Sequence, residues 1–136
     1  MMNDLDTRLD LLKRALAKTK SNSGHAVITF HSKWYDRFEI LVKEGIFVIP
    51  PEKYLDVAKV WGVKGDERRA RQIVNEYLRK MYARGVLDVV APATYAITST
   101  VLSYLQGGDN LDEVVKEIQT KTEEMRRRRG GEKNEA

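Results

Sequence analysis

A chain of 136 residues, 42% apolar and 32% charged with a net charge of +4, has room for one compact domain with arms and a small core. It holds no cysteine, which excludes disulfides, thiolate zinc sites and thiol catalysis. No apolar run approaches the ~20 residues of a membrane span, and the acidic start Met1-Met2-Asn3-Asp4-Leu5-Asp6 lacks the features of a secretory leader.

A mature, cytoplasmic chain is therefore expected, and the lack of cysteine beside abundant Glu, Lys and Arg is compatible with a thermophilic source. The first expected element is an amphipathic helix from about Asp4 to Lys20. Leu5, Leu9, Leu12 and Leu16 recur at heptad-like spacing. Asn3 or Asp4 can cap it, and Asp6 at its start and Lys18 and Lys20 at its end suit the helix dipole. Two heptads do not stand alone in water. The stripe must pack on the rest of the chain or on a second copy, and a homodimer through the terminal helices is expected. Ser21-Asn22-Ser23-Gly24 reads as a flexible joint that ends this 1–24 segment.

A domain is expected over 25–106. Ala26 to Phe30 is a strand candidate between His25 and His31; with no acid at a ligand spacing, no metal site is expected there. Ser32 can cap a helix through about Glu44, whose Trp34, Phe38, Leu41 and Val42 share one face, and Gly45 can end it. Ile46 to Ile49 is a short β-forming run stopped by Pro50-Pro51. Pro51 suits the first position of a helix to Trp61, with Tyr54, Leu55, Ala58 and Trp61 inward. Gly62 ends that helix, Val63-Lys64-Gly65 turns the chain, and Asp66 caps a helix that reaches Arg84 before Gly85.

This last helix carries the most information. Ala70, Ile73, Val74, Tyr77, Leu78 and Met81 form an inward stripe, while Arg68, Arg71, Gln72, Asn75, Arg79 and Tyr82 occupy the opposite face. Between Trp61 and Gly85, Lys64, Arg68, Arg69, Arg71, Arg79, Lys80 and Arg84 stand against Asp66, Glu67 and Glu76, a surplus equal to the whole chain's +4. Val86 to Val90 and Tyr95 to Thr98 read as strands joined by Ala91-Pro92-Ala93-Thr94, a hairpin that can join Ile46 to Ile49 in a small sheet. Ser99 can cap a short helix carrying Val101, Leu102 and Leu105, broken at Gly107-Gly108. A final helix, capped by Asp109 or Asn110, spans 107–125 with Leu111, Val114, Val115, Ile118 and Met125 as its stripe. Residues 126–136 read as a basic, polar, disordered tail.

The expected class is mainly α (α+β). The order helix, strand, helix, turn, helix, hairpin resembles winged helix-turn-helix proteins, with extra helices at both ends. Val48-Ile49-Pro50, Gly62-Val63, Ala70-Arg71, Gly85-Val86 and Tyr95-Ala96-Ile97 also resemble the archaeal and eukaryotic small-subunit ribosomal protein of the twenty-fifth family, itself a winged helix. Against that family the helix from Ala70 to Gly85 is longer, a leucine-striped helix replaces its lysine-rich arm, and an extension follows Thr98.

The first resemblance implies duplex DNA as partner, for a transcriptional regulator or architectural factor; the second implies ribosomal RNA. Arg pairs bidentately with guanine and Asn or Gln with adenine, so Arg68, Arg71, Gln72 and Asn75 suit major-groove reading. Lys64, Arg69, Arg79, Tyr82 and the block Arg126, Arg127, Arg128 and Arg129 suit phosphates. The alternatives are a plain solvated helix face and a solubilising tail. The hairpin tip carries no cation, so it suits protein packing as well as DNA. No phosphate loop and no nucleophile-base set occurs, so neither enzyme activity nor a cofactor is expected.

Overall fold

The computed structural model describes residues 4–20, 33–108 and 110–135, with the side chains of 19, 20 and 129–135 left out. The expected strand over 26–30, the joint over 21–24, the caps Asn3, Ser32 and Asp109, and both histidines lie outside the described residues. Helices dominate: α1 (Asp4–Lys20), α2 (Lys33–Lys43), α3 (Tyr54–Trp61), α4 (Glu67–Ala83), α5 (Ser99–Leu105) and α6 (Leu111–Glu135). A three-stranded antiparallel sheet holds β1 (Val48–Ile49), β2 (Leu87–Ala91) and β3 (Thr94–Ile97) in the order β1-β3-β2. None of the described helices is long and apolar enough to cross a membrane.

The chain divides into two compact units, His31–Thr98 and a second made of Met1–Phe30 with Ser99–Ala136. The inner unit has helices followed by a small antiparallel hairpin, an order compatible with the winged-helix arrangement. Its core comes from every element: Trp34, Tyr35 and Phe38 of α2, Val57 and Trp61 of α3, Val74, Leu78 and Met81 of α4, and Ile49, Leu87 and Ile97 of the sheet. Tyr35 and Phe38, both fully buried, pack at 5.6 Å between ring centroids, and such pairs add to the area they bury.

Backbone geometry explains why the helices stop where they do. Gly62 has φ +69°, and two bonds close α3 there: the Val63 N–H donates to the Ala58 carbonyl and the Gly62 N–H to the Lys59 carbonyl. The same pair recurs after α4, from Val86 to Met81 and from Gly85 to Tyr82, with Gly85 at φ +84°. Both glycines allow the chain to reverse without the steric cost of a Cβ. The buried Thr98 hydroxyl donates to the Gly85 carbonyl at 3.2 Å, tying the end of β3 to this turn.

Several expectations shift in detail. Pro51 opens a 3-10 turn, Pro51–Lys53, before α3; on α3 Val57 is buried with Tyr54, Ala58 and Trp61, while Leu55 is half-buried. On α4, Ile73 and Tyr77 flank the buried stripe and are half-buried. The hairpin connection is Pro92-Ala93 alone, because Ala91 pairs with Thr94 across a bulge at Val90. Ala93 has φ +53°; behind a proline this is the sign pattern of a type II turn.

The other unit packs α1 with α5 and α6. Leu9, Leu12 and Leu16 are buried with Val101, Tyr104, Leu105, Val114 and Ile118. In α5 the inward residue is Tyr104 rather than Leu102, which is half-buried. Arg8 donates to the Tyr104 carbonyl at 3.0 Å with its guanidinium carbon 5.1 Å from that ring's centroid, and pairs with Asp4 at 3.2 Å. The polar tail expected from Arg126 onward instead continues α6 as helix to Glu135. Arginine is a good helix former, and Arg127 pairs with Glu123 one turn earlier, at 3.5 Å.

Candidate nucleic-acid interface

Asp66 starts the helix that carries the candidate residues. Its backbone is extended, its Oδ1 accepts from the Arg69 N–H at 2.8 Å, and its carbonyl accepts from Ala70 at 2.9 Å. The buried Ala70, Val74, Leu78 and Met81 then fix the roll of α4 about its axis. That roll turns Arg68, Arg69, Arg71, Gln72 and Arg79 to the surface, leaves Asn75 half-buried at their edge, and sets Lys64 exposed in the turn just before.

One flank of α4 meets the hairpin. Tyr82 is half-buried, its ring edge-on to Tyr95 at 6.4 Å, so it braces the hairpin instead of reaching out with the arginines. Arg79 lies near enough to Tyr95 to favour its phenolate, yet burial prevails and the hydroxyl titrates above its ordinary value. Arg71 donates to the Pro51 carbonyl at 3.4 Å, a long bond between α4 and the 3-10 turn. The tip itself is fastened down: the Tyr54 hydroxyl donates to the Ala93 carbonyl at 2.6 Å. Burial, helped by Tyr95, holds the Tyr54 hydroxyl above its ordinary value as well.

The other flank meets α2. There the guanidinium of Arg37 lies over Tyr77, 4.8 Å from the ring centroid, and Lys80 covers the same ring at 5.2 Å. Arg84, at the end of α4, sits 5.7 Å from the Trp34 ring, and burial lowers its affinity for the proton. Arg37 belongs to this basic group although its sequence context, between the buried Trp34 and Phe38, reads only as the outer side of a core helix. No spacing signal reveals a cation brought in by tertiary packing.

The charge pairing is uneven between the two units. On α1 and α6 three arginines pair with acids one turn away, Arg8 with Asp4, Arg14 with Asp10 and Arg127 with Glu123. Among the described residues no ion pair involves Lys64, Arg68, Arg69, Arg71 or Arg79. Glu67 and Glu76 stand four residues before Arg71 and Lys80, yet neither pair closes. The expected residues thus fall into two groups. Those from Lys64 to Tyr82 gather on and beside α4 in the inner unit. Arg126, Arg127 and Arg128 are exposed on α6 in the other unit, while the side chain of Arg129 lies outside the described residues. Among the described residues no cluster of acids or histidines could hold a metal ion.

The chain matches no protein-family model, no curated protein and no solved structure.

Proposed function

We propose that the protein binds duplex nucleic acid through α4, with DNA as the preferred form and transcriptional or architectural use as the consequence. One observation carries this reading: among the described residues the exposed cations Lys64, Arg68, Arg69, Arg71 and Arg79 gather on and beside one helix without acidic partners, whereas Arg8, Arg14 and Arg127 are each paired with an acid one turn away. Unpaired surface charge adds nothing to the fold, but it releases counterions when it meets phosphates. Duplex DNA is favoured over duplex RNA because the B-form major groove admits a helix, whereas the A-form groove is too deep and narrow for side chains to read. Gln72 beside Arg68, and Asn75 beside Arg71 and Arg79, supply base-reading groups among phosphate-seeking ones.

Gel-shift titration of random duplex DNA at several salt concentrations tests it. The wild type is expected to bind with a steep salt dependence, and Arg68→Ala/Arg71→Ala/Arg79→Ala to lower the log–log slope by about 2 to 3, near 0.9 for each lost phosphate contact. Equal binding by the triple variant and the wild type would overturn the reading.

A second reading concerns the hairpin as a protein contact, the natural partner being a second copy of the chain. Val89 and Val90 of β2 are 49% and 58% exposed and the tip has no cation, so this surface suits an apolar neighbour better than a phosphate. The leucine stripe of α1 is a poorer dimer seam than its spacing suggests, because Leu9, Leu12 and Leu16 are already covered within their own unit. Sedimentation is expected to show a dimer that Val90→Lys dissociates; a dimer unchanged by Val90→Lys would count against the hairpin.

A further inference from the structure

An open cleft of about 370 Å³ lies along the flank of α4 opposite Tyr82, between α2 and the turn 62–64. Arg37, Lys64 and Arg69 line it, with Glu76 as its one acid and Ile73 and Tyr77 as its apolar wall. Arg37 is held in place before any ligand arrives. The Trp61 indole N–H donates to the Arg37 carbonyl at 2.9 Å, and the guanidinium carbon lies 4.8 Å and 5.8 Å from the Tyr77 and Trp61 ring centroids. Its Nε is buried without a hydrogen-bond partner. No acid pairs with Arg37, Lys64 or Arg69 among the described residues, although Glu76 is close enough to line the same space.

Three unpaired cations against one carboxylate leave a surplus suited to a doubly charged anion. A planar guanidinium fixed by stacking offers paired N–H donors at the spacing of two phosphate oxygens. Lys64 and Arg69, both exposed, are long enough and free enough to close over a group seated against Arg37. We infer that this cleft is a binding site for a phosphate group, with Arg37 as the fixed donor and Lys64 and Arg69 as the closing arms. The phosphate comes either from the backbone of a nucleic acid, in which case the inference rests on the function proposed above, or from a free phosphorylated molecule.

Trp61 reports directly on the site. In the ¹⁵N-labelled full chain its indole N–H resonance, told apart from that of Trp34 by a Trp34→Phe variant, is followed during titration with inorganic pyrophosphate and, separately, with duplex DNA at fixed ionic strength. A saturable shift is expected, weakened at least about tenfold in Arg37→Gln, one lost charge-assisted bidentate contact being worth that much. Because Arg37 is partly buried, Lys64→Gln/Arg69→Gln provides the parallel test at exposed positions and is expected to weaken the shift similarly. A shift with pyrophosphate assigns the site to phosphate independently of nucleic acid, and a shift with duplex alone assigns it to the backbone. Pyrophosphate binding without duplex binding sustains the cleft and sinks the function proposed above. Duplex binding that leaves Trp61 unmoved does the reverse. No shift with either probe, or a shift that both variants leave unchanged, overturns the inference.

Discussion

Replacing Asp66 separates stability from binding at one position. In Asp66→Ala the Oδ1 bond to the Arg69 N–H is lost, while the bond from the Ala70 N–H to the carbonyl of residue 66 survives. The Arg69 N–H is exposed, so water replaces the carboxylate and no buried donor is orphaned. The cost is then that of an ordinary N-cap with its dipole interaction, about 1 kcal/mol. For a unit of this size that lowers Tm by about 5 °C. Asp66→Asn keeps an acceptor of the same reach and is expected to stay within about 0.3 kcal/mol of the wild type. Affinity for a polyanion moves the other way. Both variants remove a negative charge beside Arg68 and Arg69, and at low salt each is expected to bind duplex DNA about twofold more tightly, an effect that fades as salt rises. Urea unfolding followed by circular dichroism gives the first quantity and gel-shift titration the second. The reasoning fails if Asp66→Asn is as unstable as Asp66→Ala, or if either variant binds more weakly than the wild type.

Three further outcomes are expected. Ala93→Gly removes the cost of a left-handed alanine, about 1 to 2 kcal/mol, against the extra entropy of glycine in the unfolded chain, about 0.4 to 1; urea unfolding should show a net gain near 1 kcal/mol, and a loss would refute the turn assignment. Burial raises the Tyr54, Tyr95 and Tyr104 hydroxyls above 10.0, so between that pH and their folded values the folded state holds more protons than the unfolded one. The part of the stability linked to these hydroxyls is therefore whole below pH 10.0 and is lost as pH rises past it; a Tm that stays flat into the phenolate range contradicts this. Leu12→Ala, at a fully buried site, costs about 2 to 5 kcal/mol and should speed amide exchange in α1, α5 and α6 together; unchanged exchange in those helices refutes their shared packing.

Legibility followed the range of the forces involved. The start of α4 at Asp66, its end before Gly85 and its inward stripe are local matters of capping, backbone freedom and period, and they appear where the residues say. The hairpin was legible as two strands and a turn, but its true connection was not. Ala93 takes a left-handed conformation that glycine or asparagine normally signals, held there partly by the Tyr54 hydroxyl from a distant helix. Val57 is buried in place of Leu55 because Tyr54, Val57, Ala58 and Trp61 follow the i, i+3, i+4, i+7 helical period, whereas Leu55 lies one residue, about 100°, around the helix from Tyr54. The leucines of α1 announced a need for cover without naming it; the cover comes from α5 and α6, after the whole inner unit in the chain. In the candidate site Arg68 to Arg79 were readable from helix period alone, whereas Arg37 joined them only through the packing of α2 on Tyr77. Tyr82, on the outward face by period, was drawn aside by a ring of the hairpin.

That interrupted helical unit sets a timetable for synthesis. Val114 and Ile118 follow the three leucines of α1 by about a hundred residues, on the order of five to twenty seconds at ordinary rates of translation. Throughout that interval the apolar seam of α1 waits without its α6 cover, while the inner unit already has every residue it needs once Thr98 has cleared the ribosome. If the inner unit collapses first, it shortens the span that α1 must search to find its partners, and loop closure costs less entropy. The arginine-bearing helix would then be finished while α1 and α6 were still apart.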